Sequence, residues 1–390
     1  MNAPRRQWQP VRLSHSDAEP AADPGPVLDR VASAVGDVTA LLAIAQQAGR
    51  SAPKPGDGRT ARLWELLASV AAVDVAAARV LEPHLDAGAI LSQAGIPDAF
   101  TGSWGVYAAE APGTRLTAEH AADRAGGQGE AEPGGNPPGV QLSGSKPWCS
   151  LAQFVDHAVV TAHTGSGGRA AFAVDLRAAG VTCDVPEWTS RGLREIPSGT
   201  VHFDRVPAVP VGGDGWYFQR PGFAWGGMGV AACWLGGAVA LGRHFEAALL
   251  RGARSQREPD QVALAALGEV DRILASTLQY LARAAEAVDA AANQPGNGAE
   301  TSGDGSPADS GRKSGAVGAW SEALRVRGTV AAAVERVQLL VSQNLGPGPL
   351  AFDERYGKCM ADLSLYVRQH HATRDDAQLG ALTLKGEHAW

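Results

Sequence analysis

The order in which the hydrophobic period changes along the chain constrains the fold most. Over residues 26–95 apolar side chains recur at steps of three and four, which predicts amphipathic helices. Over 104–211 short β-branched or alternating segments are separated by Gly and Pro, which predicts strands. After Pro221 the helical period returns and continues to about Leu384. Helices, then a compact β-unit, then helices again is an unusual order, so it narrows the choice of fold.

The C-terminal region predicts four long amphipathic helices, over 231–254, 260–292, 317–345 and 354–379. Four such helices with polar loops form an antiparallel bundle. The short strands fit a small antiparallel barrel or sandwich. The sequence therefore predicts a mostly α chain with a central small β-barrel, divided into an N-terminal helical domain over 27–103, a β-domain over 104–211 and a C-terminal helical bundle over 220–385.

Three segments are expected to be mobile. Residues 123–139 and 293–316 are rich in Gly, Pro, Ser and Glu and have almost no apolar side chains. Burial cannot offset the entropy cost of ordering such segments, which predicts a mobile loop in the β-domain and a mobile linker in the bundle. Residues 1–26 lack the apolar stretch of a signal peptide and predict a flexible tail.

Composition excludes several classes of protein. The net charge is -7 and no basic block is interleaved with aromatics, which argues against nucleic acid as a partner. The longest apolar stretch, 223–241, is broken by glycines and predicts a buried helix rather than a membrane span. Four scattered cysteines without a CxxC pair indicate reduced thiols in a cytoplasmic protein.

Four segments carry motifs whose order and spacing can be compared with known families. They are WGVYAAEAPG at 104–113, LSGSKPWCSLAQFVDHAVVTA at 142–162, RPGFAWGGMGVAACWLGGAVALGRHFEAAL at 220–249 and ADLSLYVRQHHATRDDAQLG at 361–380. Together they resemble the acyl-CoA dehydrogenase family of FAD-dependent flavoproteins, of which this chain is expected to be a divergent member. The resemblance implies the fold already predicted, with helical domain, β-domain and four-helix bundle.

The same resemblance implies an activity, a cofactor and partners. The activity is α,β-dehydrogenation of a small-molecule acyl thioester, in which a base takes the α-proton and FAD accepts the β-hydride. An electron-accepting flavoprotein is an expected partner. A homodimer or homotetramer is also implied, because the FAD sites of this family lie across subunits.

The resemblance places Trp148, Ser150 and Glu110 at the flavin. In the family a Trp lies against the isoalloxazine ring, and a Thr or Ser hydroxyl bonds its N5 edge. The alternative for Trp148 is a core aromatic on a barrel strand. Glu110 is retained from the family's Thr-Glu-Pro turn, but Ala109 and Ala111 replace its neighbours. One flavin-contacting hydroxyl is therefore missing, which leaves backbone N–H groups for that contact.

Arg254 matches half of another family motif. In Arg-x-Gln-Phe-Gly the arginine reaches the FAD pyrophosphate of a neighbouring subunit, and here Arg254-Ser255-Gln256 is followed by Arg257 and Glu258. Arg254 is therefore a candidate cofactor-binding residue. The alternative is a solvated basic helix end.

The expected catalytic base is replaced. In the family it is a Glu followed by Gly, eight residues after an Asp; here the residue eight after Asp362 is His370, followed by His371. The other known position of the base falls near Gly226. An imidazole can accept a proton near neutral pH, so His370 is the candidate base and His371 a candidate cofactor contact. One alternative is that both histidines form a polar helix surface. Another is a structural ion-pair network that also includes Arg368, Arg374 and Asp375.

Three functions remain open at this stage. The first is an acyl-CoA dehydrogenase-like enzyme. The second is a relative of the family's flavin monooxygenases, which carry a His near this C-terminal position and activate oxygen on reduced flavin. The third is a non-catalytic paralogue that acts as a partner subunit, because the Thr and the Glu are lost.

Overall fold

The computed structural model describes residues 8–13, 24–97, 100–120, 139–185, 187–255, 258–293 and 312–390. The N-terminal helices are α1 (Gly25–Ser33), α2 (Val38–Gly49), α3 (Thr60–Val73) and α4 (Val75–Gln93). The side chains of Asp37 and Asp74 cap α2 and α4 by accepting hydrogen bonds from backbone N–H groups of the first turn. Helix α3 is buried along most of its length, so it forms the centre of this region.

Part of the expected flexible tail is packed against the first domain. Val11 and Leu13 are buried, and their backbone N–H groups donate to Ser69 Oγ at 2.9 Å and to Glu65 Oε1 at 3.0 Å. Burial and these hydrogen bonds hold residues 8–13 on α3, so the expected tail does not extend over them. Residues 1–7 and 14–23 lie outside the described residues.

The β-domain is a small barrel. Its strands are β1 (Trp104–Tyr107), β2 (Leu116–His120), β3 (Val140–Ser150), β4 (His157–His163), β5 (Arg169–Asp175), β6 (Val181–Cys183) and β7 (Ser198–Val211). Strands β4, β2, β3, β7 and β5 pair in that order, and β5 pairs back with β4 to close the ring. The loop predicted over 123–139 lies outside the described residues except for Gly139.

The C-terminal region is a helical bundle. It follows the short α5 (Trp216–Gln219) and contains α6 (Pro221–Arg254), α7 (Gln261–Ala292), α8 (Arg312–Leu345), α9 (Pro347–Phe352), α10 (Glu354–Tyr366) and α11 (Thr373–Thr383). Of the predicted linker, 294–311 lies outside the described residues, and the backbone from Arg312 already belongs to α8. Helix α6 is long and apolar enough to cross a membrane, but 83% of its most apolar window is buried in the protein. This burial favours the core-helix interpretation.

The fourth predicted bundle helix is interrupted, so its prediction as one helix over 354–379 is wrong. After α10 comes a 3-10 turn, Val367–Gln369, and then His370 in extended conformation. Ala372 has a left-handed φ of 49°, and α11 begins only at Thr373. Because the interrupted segment contains neither Gly nor Pro, the helical period gives no sign of the break.

Candidate active site

Trp148 lies on an irregular part of β3. The pairing of β3 with β7 shifts register between Lys146 and Cys149, and Trp148 adopts a left-handed φ of 58°. Such a bulge turns a side chain away from the regular alternation of a strand. The Trp148 side chain is 61% exposed, so its alternative role as a core aromatic is wrong. The buried position next to it belongs to Cys149 instead.

Ser150 is tied to both helical and β-domain residues. Its Oγ lies 2.7 Å from Ser198 Oγ and accepts a hydrogen bond from Arg79 Nη2 at 3.0 Å. Its backbone oxygen accepts one from the Tyr107 hydroxyl at 3.0 Å. The predicted flavin-contacting hydroxyl is therefore held by an arginine of α4 that sequence reasoning missed.

Glu110 lies at the centre of a polar cluster after β1, in which its carboxylate is paired with cations. Its Oε1 accepts hydrogen bonds from Lys146 Nζ at 2.6 Å and from Arg169 Nη2 at 2.8 Å. His163 Nε2 lies 3.5 Å from Oε2. Partial burial raises the pKa of Glu110, but the hydrogen bond and charge of Lys146, with Arg169, hold it below its ordinary value. Because its carboxylate faces protein cations, Glu110 fixes the turn after β1 in place.

His370 is nearly buried and follows the end of α10. Its side chain is 9% exposed, and its Nε2 lies 3.8 Å from Asp375 Oδ2, too far for a hydrogen bond. Nε2 faces α8, where a Cβ on Gly328 would lie 3.6 Å away. Burial lowers the pKa of His370, although Asp375 opposes this. The lowered pKa favours the neutral form of the imidazole.

His371 has a different environment. Its side chain is 66% exposed, and its Nδ1 lies 3.2 Å from Asp375 Oδ1. The two histidines therefore do not share a polar helix surface, because one is buried and both follow the end of α10. Of the alternative ion-pair network, Asp375 contacts His371, whereas Arg368 pairs with Glu335.

Arg254 lies apart from the other predicted site residues. It is the last residue of α6 and is exposed. The rise of an α-helix puts it about 40 Å along α6 from Gly226. Within the described part of the chain it makes no ion pair. Its expected contact with a cofactor in a neighbouring subunit stays a prediction.

A charged cluster that sequence reasoning missed lies between α4, α6 and α8. We define it by Arg79, Glu82, Asp86, Arg220 and Arg327. The first three occur at steps of three and four along α4, which places them on one helix face. That spacing is the signal that could have found them, but it fits a solvated face equally well.

The two carboxylates of the charged cluster have raised pKa values. Burial and then Asp86 raise the pKa of Glu82 to about 7, while Arg79 and Arg327 oppose the rise. Burial likewise raises the pKa of Asp86, with Arg220 opposing. Asp86 faces α6, where a Cβ on Gly226 would lie 2.9 Å from its Oδ1. The glycine at the second known base position thus leaves room for a carboxylate from α4.

The charged cluster connects the two ends of the predicted site. At one end Arg79 donates to Ser150. At the other end Arg327 Nη2 donates to the backbone oxygen of Gln369 at 2.6 Å, directly before His370. The structure therefore places Ser150 and His370 at opposite ends of the charged cluster. No three metal-ligating side chains are grouped within the described ranges.

Two cavities lie away from the charged cluster. One of about 770 Å³ is bordered by strands β2 and β5, and one of about 500 Å³ is bordered by Trp8, Asp74 and Lys358; none of the predicted site residues lines either. Size alone does not locate chemistry. The perturbed groups and matched motifs favour the region around the charged cluster instead.

Solved structures match the chain over nearly its whole length, whereas no family model and no curated protein sequence matches it. KijD3 in complex with FMN and dTDP-3-amino-2,3,6-trideoxy-4-keto-3-methyl-D-glucose has a TM-score of 0.71 at 18% identity, covering 94% of this chain and 92% of that one. FMN-bound TdsC from Paenibacillus sp. A11-2 has a TM-score of 0.67 at 16% identity, with 93% and 98% covered.

Butyryl-CoA dehydrogenase from Megasphaera elsdenii has a TM-score of 0.69 at 14% identity, and 95% of this chain and 100% of that one are covered. At such identities the likeness concerns the fold. The chain has the acyl-CoA dehydrogenase fold, so the predicted fold class is confirmed, as is its order of helical domain, small β-barrel and helical bundle.

Proposed function

We propose that this chain is a flavin-dependent monooxygenase that transfers one oxygen atom from O₂ to a small polar molecule. The observation that carries the proposal is His370. A largely buried imidazole with a lowered pKa stands where the dehydrogenase resemblance requires a carboxylate, and Gly226 lies near the other known base position. Burial also weakens this imidazole as a base, which suits it poorly to a weakly acidic thioester α-proton.

The residues around Trp148 fit a flavin ring. A 61% exposed indole offers an aromatic face that a planar ring system can cover. Ser150 Oγ and the backbone N–H groups of the turn around Glu110 supply polar contacts. FMN bound to KijD3 and to TdsC favours the mononucleotide. The FAD implied by the family resemblance stays a prediction.

The chain's own residues position the reactants. When bound, a reduced flavin supplies the two electrons that, with two protons, let one atom of O₂ enter the substrate and the other leave as water. An NAD(P)H-dependent flavin reductase is the class of partner that supplies those electrons. Arg79 fixes the Ser150 hydroxyl, and Arg327 fixes the backbone beside His370. His370 can then accept or donate a hydrogen bond at Nε2.

The charged cluster favours a polar substrate. An apolar acyl chain placed there would leave buried charges without solvent or partners, at a cost of several kcal/mol. The dehydrogenation of an acyl thioester is the second candidate function. It is favoured because the fold of this chain matches butyryl-CoA dehydrogenase over that protein's whole length.

Rapid mixing distinguishes the two candidates. The purified protein is loaded with FMN or FAD, reduced without oxygen and mixed with aerated buffer. A monooxygenase reoxidises within seconds, and His370→Gln changes this rate by at least about tenfold without changing flavin affinity. His388→Gln, at an exposed histidine, is the matched control. Failure to bind flavin, or slow reoxidation together with anaerobic bleaching by butyryl-CoA, would overturn the proposal.

A further inference from the structure

The cavity of about 500 Å³ beside Trp8 adjoins a third cavity of about 400 Å³. Both are bordered by Trp8, Ala72 and Arg355, so they are two parts of one groove between the N-terminal segment 8–13, α3, α6 and α10. We call it the N-terminal groove. Each part lies within the size range of small-molecule sites, about 300–1,000 Å³.

The two parts of the N-terminal groove differ in chemistry. The charged side chains of the larger part pair with one another: Lys358 Nζ lies 2.8 Å from Asp74 Oδ2 and 2.9 Å from Glu195 Oε1, and Arg194 pairs with Glu354. The rest of its lining is mostly aliphatic and includes Ala32, Val35, Ala71, Val73 and Val75. This part therefore suits an apolar group.

The smaller part has an excess of positive charge. It is bordered by Arg243, Arg251 and Arg355, and the acidic side chain in its lining is Glu246. Arg243 donates hydrogen bonds to two backbone carbonyls of the N-terminal segment, at 2.6 Å and 3.0 Å, and so holds that segment as a wall of the groove. The other two arginines face the same space from α6 and α10.

Arg251 and Arg355 are available to a ligand. Within the described ranges neither makes an ion pair, and Arg251 donates no hydrogen bond there. Arg355 lies over the ring of Trp8 at 4.1 Å and donates one long hydrogen bond, 3.5 Å, to the backbone oxygen of Ala72. The aromatic ring holds this guanidinium in place and leaves most of its N–H groups free.

Tyr356 adds an unused donor to the smaller part. The residue is 1% exposed and its hydroxyl has no hydrogen-bond partner, which is uncommon for a buried polar group. Its ring stacks on His244 at 4.7 Å, and both rings border the groove. The nearby Asp353 carboxylate already caps α10, because it accepts from the Tyr356 backbone N–H at 3.0 Å. A ligand oxygen can therefore satisfy this hydroxyl.

We propose that the N-terminal groove binds a small organic anion, with its carboxylate or phosphate group at Arg251, Arg355 and Tyr356 and its apolar body in the aliphatic part. Guanidinium groups and a hydroxyl together donate to anionic oxygens through charge-assisted hydrogen bonds. Because Trp8 and Arg355 border both parts, they lie where the anionic group joins the apolar body. The inference does not depend on the proposed flavin chemistry.

Four probes with the same hexyl body test the class of ligand. Hexanoate, hexyl phosphate, 1-hexanol and hexylamine are titrated into the full-length protein at pH 7 by ligand-observed NMR. At least one of the two anions should bind at least about tenfold more tightly than the alcohol and the amine, which lack negative charge. The stronger of the two anions identifies the head group. Equal affinities of all four probes, or no binding of either anion, would overturn the inference.

Two variants test the anionic part of the groove. Arg355→Met keeps the apolar stem and should weaken binding of the preferred anion about tenfold, and Tyr356→Phe keeps the ring and should weaken it about threefold. Arg272→Met, at an exposed arginine of α7, is the matched control and should leave the affinity unchanged. Melting temperatures check that the variants fold. An anion affinity that survives both substitutions contradicts the inference.

Hydrogen exchange in the wild-type protein locates the ligand without any variant. The backbone N–H groups of Val11 and Leu13 donate to side chains of α3, so a ligand that packs against Trp8 should slow exchange in residues 8–13. Exchange in β5, on the far side of the barrel fold from this groove's lining, should stay the same. Protection of other segments with unchanged exchange in 8–13 would place the anion elsewhere, and the inference would then be wrong.

Discussion

Two carboxylate clusters border the candidate site, and they are built in opposite ways. Glu110 in the β-domain accepts hydrogen bonds from Lys146 at 2.6 Å and Arg169 at 2.8 Å. Glu82 in the helical domain has its nearest cation, on Arg79, at 4.0 Å. Pairing holds the pKa of Glu110 below its ordinary value, whereas burial raises the pKa of Glu82 to about 7.

The difference distinguishes a cluster that stabilises the fold from one that can bind or transform a ligand. A paired cluster stabilises the fold, because each charge keeps partners after it leaves water. A cluster whose carboxylates accept no hydrogen bond, here called unpaired, costs stability, and such sites concentrate where a protein binds or transforms a ligand. The β-domain cluster therefore holds the turn beside the proposed flavin position. The charged cluster of the helices is the part that we expect to meet the substrate.

Breaking the paired cluster should have the largest effect on stability. Glu110→Ala leaves the Lys146 ammonium, which is 1% exposed, without its closest counter-ion. We expect a loss of about 2–3 kcal/mol in the free energy of unfolding at pH 7, measured by urea denaturation. Glu286→Ala, at an exposed glutamate of α7, should change it by less than about 0.5 kcal/mol. Equal small effects would mean that the paired cluster contributes nothing to stability.

The unpaired cluster should show the opposite dependence on pH. Burial raises the pKa of Glu82 from 4.5 to about 7, so its favourable contribution is complete below pH 4.5 and is lost as the pH rises through 7. The ionised group then costs up to about 3 kcal/mol. For Glu110 the pKa is lowered, so its contribution is present above pH 4.5 and is lost on further acidification.

Melting temperatures between pH 5 and pH 8 measure this contrast. The wild-type protein should lose more stability across this range than Glu82→Gln, which cannot ionise at that position. Glu286→Gln serves as the control and should follow the wild type. Parallel curves for the wild type and Glu82→Gln would show that Glu82 is not a destabilising charge.

The sequence predicts the fold and singles out Glu110 of the first cluster, but it does not predict the second cluster. Hydrophobic periods predict a β-domain over 104–211, and β1 begins at Trp104 while β7 ends at Val211. Motif resemblance places Glu110 and Ser150 at the flavin. In the structure Lys146 and Arg169 hold the first residue, and Arg79 holds the second. Local patterns suffice here because each of these residues lies on a strand or shortly after one.

Charge burial depends on tertiary contacts and cannot be predicted from local pattern. Glu82 and Asp86 share one face of α4, but a charged helix face is usually solvated. Only the packing of α6, with Gly226 beside Asp86, makes that face internal. The break before α11 has the same origin, because Asp375 accepts the backbone hydrogen bond of His371 at 3.1 Å after the chain has already turned.

Removing the exposed aromatic side chain of Trp148 should test whether the β-domain binds the flavin, and it should not disturb the fold of this domain. Trp148→Ala should weaken FMN binding about tenfold, because stacking and apolar burial on the ring are lost. Its stability should change by less than about 0.5 kcal/mol, since the side chain is 61% exposed. Quenching of flavin fluorescence measures affinity, and Trp390→Ala, at an aromatic that is 91% exposed, is the control. Unchanged affinity in Trp148→Ala would contradict a flavin role for this residue.

The smallest expected effect concerns the far end of α6 and distinguishes the two flavins. Arg254 lies about 40 Å along the helix from Gly226, so it can serve only a cofactor held largely by another subunit. FMN ends at its phosphate, whereas FAD extends through a pyrophosphate that an arginine can pair with. Arg254→Ala should therefore weaken FAD binding about fivefold in an oligomer and leave FMN binding unchanged. Arg251→Ala, at the exposed arginine one turn earlier, should change neither affinity. Sedimentation velocity measures the oligomeric state, and parallel titrations measure the affinities for FMN and FAD. If the protein is an oligomer and its FAD affinity does not change in Arg254→Ala, Arg254 is a solvated helix end.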